Sequence, residues 1–353
     1  AGALVNRLPL ESGADVGDGD GLRSPAAPRP WRRRPSTRTQ APPIVLLYHR
    51  VADVDSDPWG LAVSPKHFRD HLQLLARERE CISLDVLVRE LAAGRLPSGA
   101  VCITFDDGYA DNLFNAKPLL EEFSIPATFF LTSGYLQGDS NFWWDALERP
   151  FFQKTRIPAT LELEVERALL SFDFAGDTEY RDTAFAAHRQ WRAWDPPLSR
   201  RHLAYHDLWQ ALHRVPSATR EMLLGSIHDW AAVSGNAAES ECRPLTAGEV
   251  GALADGRGIW IGGHSVTHPS LPALDRDAQR REIVENKRHL EELLDRPLRH
   301  FAYPHGELDG DTVTLHEEAG YEAAFTTRGC PVDGTGDLFR LPRIAVEDWG
   351  ATE

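Results

Sequence analysis

The chain has 353 residues, 42% hydrophobic and 26% charged, the balance of a globular protein with enough length for one large domain or two modest ones. Its net charge of −15 argues against a general nucleic-acid binder, whose affinity rests on neutralising phosphates. No apolar run approaches the roughly 18 residues that an integral membrane helix needs.

Residues 1–42 are rich in Gly, Pro, Ser and Arg, with Arg29, Arg32, Arg33, Arg34 and Arg38 set among prolines. They read as a disordered basic, Pro-rich leader, in preference to a tether for an anionic surface. The N-terminus has no apolar signal core. A cytoplasmic protein is therefore expected, or a secreted or surface-associated one if a leader was removed before Ala1. Cys81, Cys102, Cys242 and Cys330 form no CxxC and read as buried thiols of a reducing compartment, with two disulfides as the alternative.

From Ile44 strands and helices alternate. "IVLLYH" is an apolar strand. "SPKHFRDHLQLLARE" sets Phe68, Leu72 and Leu75 on one helical face, with Ser64 as N-cap before Pro65. "SLDVLVRELAAG" repeats the pattern with Leu84, Leu87 and Leu91 and stops at Gly94. The strand "VCITF", the helix "ADNLFNAKPLLEEF" and the strand "ATFFLTSG" follow. Residues 139–245 then interrupt the series as a mainly helical insertion. Of its tryptophans, Trp143 and Trp144 stand next to the scaffold and are the candidates to face a sugar; most of the others are expected in a core. The alternation resumes with "GIWIGGHS", a charged helix carrying Ile283, Leu290 and Leu294, "HFAYPHG", a helix ending at Gly320, and "EAAFTTRG". Residues 43–138 and 246–353 thus predict parallel strands with helices outside, in a barrel or a doubly wound sheet.

In "VCITFDDGY" the apolar alternation of Val101, Ile103 and Phe105 ends on Asp106 and Asp107. Two adjacent carboxylates beside a core repel each other, and a bound cation would neutralise one and leave the other to move protons; an Asp-Asp-Gly turn is the plain alternative. "HSVTH" supplies His264 and His268, four apart as on one side of a helical turn. The spacing is that of the zinc-binding HExxH, but no base stands between the histidines. The base must come from elsewhere, and the aspartates are the source at hand. "TFDD", "GGHS" and "FAYPHG" each follow an apolar strand, where catalytic residues of parallel α/β folds gather.

"TFDDGY" followed by "HSVTH" resembles the first two motifs of the polysaccharide deacetylases, the NodB-homology or carbohydrate esterase family four. "LLYHRV", "FAYPHG" and "RLPRI" resemble its exopolysaccharide N-deacetylase-like branch, over about residues 44–133 and 259–346. The resemblance implies a distorted (β/α) barrel of about seven parallel strands. It implies Asp107, His264 and His268 as ligands of a divalent metal, most often zinc, and Asp106 as general base. The family's third-motif Arg, which pairs with the base, falls at Ala302, and its Tyr at His305. Arg343 is then the candidate to orient Asp106, and His305 to hold an oxyanion through its backbone N–H or to act through its side chain. Tyr303 and Pro304 of the same segment are expected against substrate. The family's late Leu-x-x-His has no match; His49 is the candidate to compensate, a structural hydrogen bond being its other role. "VEDWG", with Asp348 and Trp349, loosely resembles an Asp-Trp motif or is a plain terminus. The implied function is a metal-dependent hydrolase that removes N-acetyl groups from an N-acetylated amino sugar in a glycan or glycoconjugate. The alternatives are an O-acetyl esterase or small-metabolite amidase on the same scaffold, or a catalytically idle glycan-binding protein.

Overall fold

Seven parallel strands organise the scaffold: β1 (Ile44–Tyr48), β2 (Ala100–Phe105), β3 (Ala127–Leu131), β4 (Ile259–Gly263), β5 (His300–Ala302), β6 (Ala323–Phe325) and β7 (Ile344–Ala345). They lie in the order β6-β5-β4-β3-β2-β1-β7, with the short strand Glu80–Cys81 added beside the start of β2. The computed structural model describes residues 41–138, 141–165, 167–233, 243–334 and 336–350; the basic leader falls outside them but for its last two residues. Among these, no helix is long and apolar enough to cross a membrane, and Cys81, Cys102 and Cys330 are free thiols.

The sheet curls because its two edges share one segment. Leu341 bridges Phe325 of β6, and three residues later Ile344 pairs with Leu46 of β1. Residues 341–345 therefore lie across the gap and turn the sheet into a distorted barrel. β2 is buried on both faces along its whole length, as a central parallel strand must be. Ile103 and Phe105 point outward into a core with Phe68, Leu72, Phe129, Ile283 and Leu290, contributed partly by the surrounding helices. Cys102 points inward with Val45, Phe130, Phe325 and Leu341. Thr104 and Asp106 share the parity of Cys102, so the strand's period aims Asp106 at the barrel axis.

The insertion contributes the helices Trp143–Glu148, Asp182–His188, Arg200–Arg214 and Ser217–Trp230. It also holds an antiparallel hairpin, Thr160–Val165 with Ala168–Asp173, an element that the reading of a mainly helical insertion did not include. "TLELEV" buries Leu161, Leu163 and Val165 while its other three residues face out, a period of two. The partner "ALLSFD" has no fully buried residue; its inward side is the half-buried Leu170 and Phe172, and the adjacent Leu169 blurs the period.

Arg201 ties the hairpin to the helices. It is fully buried and donates to the carbonyls of Asp177 (2.8 Å), Phe151 (3.0 Å), Lys154 (2.7 Å), Thr155 (3.4 Å) and Thr178 (2.8 Å). Burial pulls its guanidinium down to about 10, still charged at neutral pH. Arg201→Met keeps the volume and strands these carbonyls, and is expected to cost roughly 3 kcal/mol or more, since each bond to a charged donor contributes about 1.5–3 kcal/mol. Urea unfolding followed by tryptophan fluorescence measures this; an unchanged midpoint would show that water replaces the guanidinium freely.

Candidate metal and catalytic site

The site is built where β2 and β4 end. Asp106 still donates its backbone N–H to Tyr48 of β1 at 3.0 Å. At Asp107 the chain leaves the strand with φ 72°, and Gly108 follows at 94°. The left-handed turn breaks the alternation, so the two carboxylates need not point to opposite faces.

β4 ends in Gly262 and Gly263 for a steric reason. A Cβ on Gly262 would sit 2.5 Å from the Phe130 ring, and one on Gly263 2.5 Å from both Asn286 Oδ1 and Tyr321 Oη. The glycines let the helix Arg276–Leu294 approach the strand. From it Asn286 accepts the N–H of His264 (3.2 Å) and donates to Leu131 O (3.0 Å) and Ser265 O (2.5 Å). Glu282 accepts the N–H groups of Val266 and Thr267, each at 2.8 Å, and the Thr267 hydroxyl at 2.7 Å. Ser265 (φ 63°) and His268 (φ 54°) are left-handed, and Ser265 Oγ accepts the His268 N–H at 3.0 Å. The two histidines therefore converge through a braced loop, and the expected helical turn is corrected.

Both imidazoles aim at one carboxylate oxygen. His264 Nε2 and His268 Nε2 each lie 3.4 Å from Asp107 Oδ1, which is buried and accepts no hydrogen bond. His264 Nδ1 lies 2.7 Å from Ala302 O; donating there puts the proton on Nδ1 and turns the Nε2 lone pair inward. A divalent ion holds such ligands at about 2.0–2.2 Å, and two of them at a near-tetrahedral angle lie roughly 3.4 Å apart. The three donors, their spacing and the unpartnered oxygen fit a metal ion.

Asp106 has a different partner. Arg343, fully buried, grips it with both arms, Nη1 to Oδ1 and Nη2 to Oδ2, each at 2.6 Å. The guanidinium also donates to Thr326 O (3.0 Å) and Thr104 Oγ1 (3.3 Å). Burial alone would push the Asp106 carboxyl up, but the charges of Arg343 and His264 outweigh it and hold the group below its ordinary range. It stays ionised at neutral pH, as a proton acceptor must.

Around the cluster opens a cavity of about 410 Å³. His49, Trp144 and His305 line it; the Trp144 ring lies 4.6 Å from that of His268 and the His305 ring 4.4 Å. Three other expectations are corrected. Trp143 is buried under the Arg220 guanidinium, 4.9 Å above its ring. Tyr303 is fully buried and donates its hydroxyl to Phe339 O at 2.9 Å. Pro304 is buried in the turn before His305. Asp348 accepts the backbone N–H and hydroxyl of Ser64 and pairs with His67, a clasp away from the cavity. Sequence reasoning passed over Glu282 and Asn286, although Asn286 occupies the inward stripe Gln279–Ile283–Asn286–Leu290, where a polar residue must be bonded. It grouped Trp209 with the insertion's tryptophans expected mostly in a core, and passed over Trp59, Gln210, His213 and Glu307 on the cavity wall.

Fold and site together define a parallel barrel that presents a carboxylate–bis-histidine cluster and an arginine-held aspartate at its strands' carboxyl ends. The family model for polysaccharide deacetylases matches residues 93–160 and 232–324, the two stretches that hold Asp106, Asp107, His264 and His268. It is similar to the poly-β-1,6-N-acetyl-D-glucosamine N-deacetylase of Staphylococcus epidermidis, with 29% identity over 112 residues, 28% of this chain and 38% of that protein. It is also similar to YxkH of Bacillus subtilis, with 33% identity over 89 residues, 25% of this chain and 30% of that protein. The match thus spans about a third of the length of these curated relatives. In three dimensions the fold resembles the deacetylase PplD of Streptococcus pyogenes, with a TM-score of 0.55 and 17% identity over 89% of this chain and 96% of that one.

The two aspartates are expected to respond differently to loss of charge. Asp107→Asn exchanges an anionic ligand for a neutral one, so bound metal falls together with any activity. Asp106→Asn keeps the ligand set and removes the proton acceptor, so metal is retained while turnover drops about 10²–10⁴-fold or more. It also leaves Arg343 buried without its anion, so folding is matched first by thermal unfolding. Metal analysis beside a turnover assay decides; loss of metal in Asp106→Asn with retention in Asp107→Asn would reverse the assignment.

Proposed function

We propose that the protein is a metal-dependent hydrolase that removes acetyl groups from N-acetylated amino sugars of a glycan or glycoconjugate. The observation that carries this reading is the pair of carboxylates with divided duties, Asp107 shared by two imidazole Nε2 atoms and Asp106 clamped by Arg343. Asp107, His264 and His268 would hold the ion, and two imidazoles with one carboxylate suit zinc. Bound there, such an ion supplies Lewis acidity toward a water and an amide carbonyl.

The chain's own groups do the rest. Asp106 takes the proton of the attacking water, and Arg343 keeps its carboxylate ionised and fixed in plane. The neighbouring turn N–H groups of Gly306 and Glu307 are engaged by Tyr303 O and Pro304 O, and the N–H of His305 is assigned to the oxyanion that forms on the acetyl carbon. Collapse toward acetate then needs a proton on the departing nitrogen. The sugar is assigned to the aromatic wall, where the Trp59 and Trp209 rings lie 4.2 Å apart and Trp59 Nε1 is held by Tyr205 Oη at 2.8 Å; flat indoles suit the C–H faces of pyranose rings. The Staphylococcus epidermidis relative is named for an N-acetylglucosamine polymer, which supports this substrate class.

Acetate release from N-acetylglucosamine oligomers, set against O-acetylated sugars and small N-acetylated metabolites, tests the proposal. Chelation is expected to abolish release and zinc to restore it. Trp209→Ala is expected to raise KM up to about tenfold, the loss of roughly 1.4 kcal/mol of contact, with metal content unchanged. Binding of the oligomers by metal-loaded protein without acetate release would leave a glycan-binding module in place of an enzyme.

A further inference from the structure

The reaction proposed above needs a proton donor, and the cavity offers three histidines besides the two ligands: His49, His213 and His305. They are not equivalent. His49 acts electrostatically on Asp106, so a proton placed on it would weaken the base. His305 packs edge-on against the ligand His268 at 4.4 Å, and a charge there would oppose the bound cation. His213 lies one ring further out, 4.2 Å from His305.

His213 comes from the insertion, on the helix Arg200–Arg214. It is 6% exposed, and its Nε2 is buried with no hydrogen-bond partner. Of the three it is the one with a carboxylate at ion-pair distance, Glu307 Oε2 at 3.4 Å. That same oxygen accepts the Ser270 hydroxyl at 2.5 Å, and Ser270 stands two residues beyond His268. The metal-binding loop thus anchors the carboxylate that faces the insertion's imidazole. Trp209, one turn earlier on the helix, backs the ring at 4.8 Å.

We infer that His213 is the catalytic proton donor to the leaving amine and that Glu307 is its positioning residue, the insertion thereby completing the barrel's site. The inference rests on the N-deacetylase reading. Asp106 takes one proton from water, and the resulting hydroxide oxygen bonds to the acetyl carbon. The C–N bond then breaks with its electron pair moving to nitrogen, which receives the proton of the His213 imidazolium. Acetic acid and the free amine leave, and the proton held by Asp106 returns His213 to its starting state through solvent. Burial holds the His213 imidazole below its ordinary value although Glu307 opposes it, and Arg220 and Arg214 add to the fall, so without the carboxylate the imidazolium would be scarcer still.

The experiment compares wild type, His213→Gln, His213→Asn and Glu307→Gln at equal zinc content and equal thermal stability. Each is given an N-acetylglucosamine tetramer and p-nitrophenyl acetate, whose phenolate departs without a proton. Removing the donor is expected to lower kcat on the sugar amide by about 10²–10⁴-fold and to leave the ester rate within a few-fold in both His213 variants. Glu307→Gln is expected to shift the alkaline limb of the amide kcat profile to lower pH with KM unchanged. Amide turnover retained by both His213 variants, or an equal fall on both substrates, overturns the inference and leaves the deacetylase reading standing. Wild-type protein that cleaves the ester and no N-acetylated sugar overturns that reading and the inference with it.

Discussion

The contact on which the rest depends is the buried pair of Arg343 and Asp106. Taking both charges out of water costs several kcal/mol each, and only close, multiply bonded geometry offsets that cost. The geometry is present: two bonds of 2.6 Å between the groups, with two further guanidinium hydrogens on Thr326 O and Thr104 Oγ1. Arg343 belongs to the segment that bridges β6 and β1 across the sheet's open edges. Barrel closure and the ionisation of Asp106 are therefore one interaction. A barrel that failed to close would leave a carboxylate that burial pushes toward its neutral form, unable to take a proton.

The cluster beside it obeys a second electrostatic constraint. Asp107 is 3% exposed, and its Oδ1 faces two imidazole nitrogens without a hydrogen bond. A buried acceptor in that position needs a proton or a cation. The Ala302 carbonyl takes the proton side of His264, which removes the first option for that ring at neutral tautomer and leaves a lone pair suited to a metal. Glu282 and Asn286 then spend a carboxylate and an amide on holding backbone groups of the histidine loop, because a loop carrying two left-handed residues has few partners of its own.

How much of this was legible in the sequence follows from range. β1 to β6 were legible as short apolar runs in a series that alternates with helices, and Ser64, read as a cap, accepts the His67 N–H three residues on; β7, two residues long with no helix after it, was not. Asp106, Asp107, His264 and His268 were legible as motifs. Arg343 was reached by asking which cation replaces the one missing at Ala302, a question of charge balance and not of proximity. Trp143 was misplaced because a tryptophan beside a strand end has equal claim to core and cleft, and what decides is Arg220, 77 residues later in the chain. Tyr303 and Pro304 failed likewise: their neighbour His305 lines the cavity, while they face Phe339 and the core. The hairpin was missed because its second strand opens on two adjacent leucines, which blurs the period of two.

The insertion carries the residues least legible in advance, and its position gives the reason. The barrel ends supply Asp106, Asp107, His264 and His268, a set that could hold an ion and accept a proton but does not enclose a ligand. The helix Arg200–Arg214 adds Trp209, Gln210 and His213 to the wall, and Arg220 on the next helix donates to Thr267 O at 2.6 Å within the histidine loop itself. A fully buried guanidinium resting on that carbonyl and on the Trp143 face cannot be withdrawn without exposing unpaired groups on both sides. The insertion is thus fixed to the loop that holds the histidines, and the wall it builds is held in register with the cluster. On this chain the chemistry and the enclosure come from segments far apart in sequence, and the Thr267 carbonyl and the Glu307 carboxylate are two of the groups through which they meet.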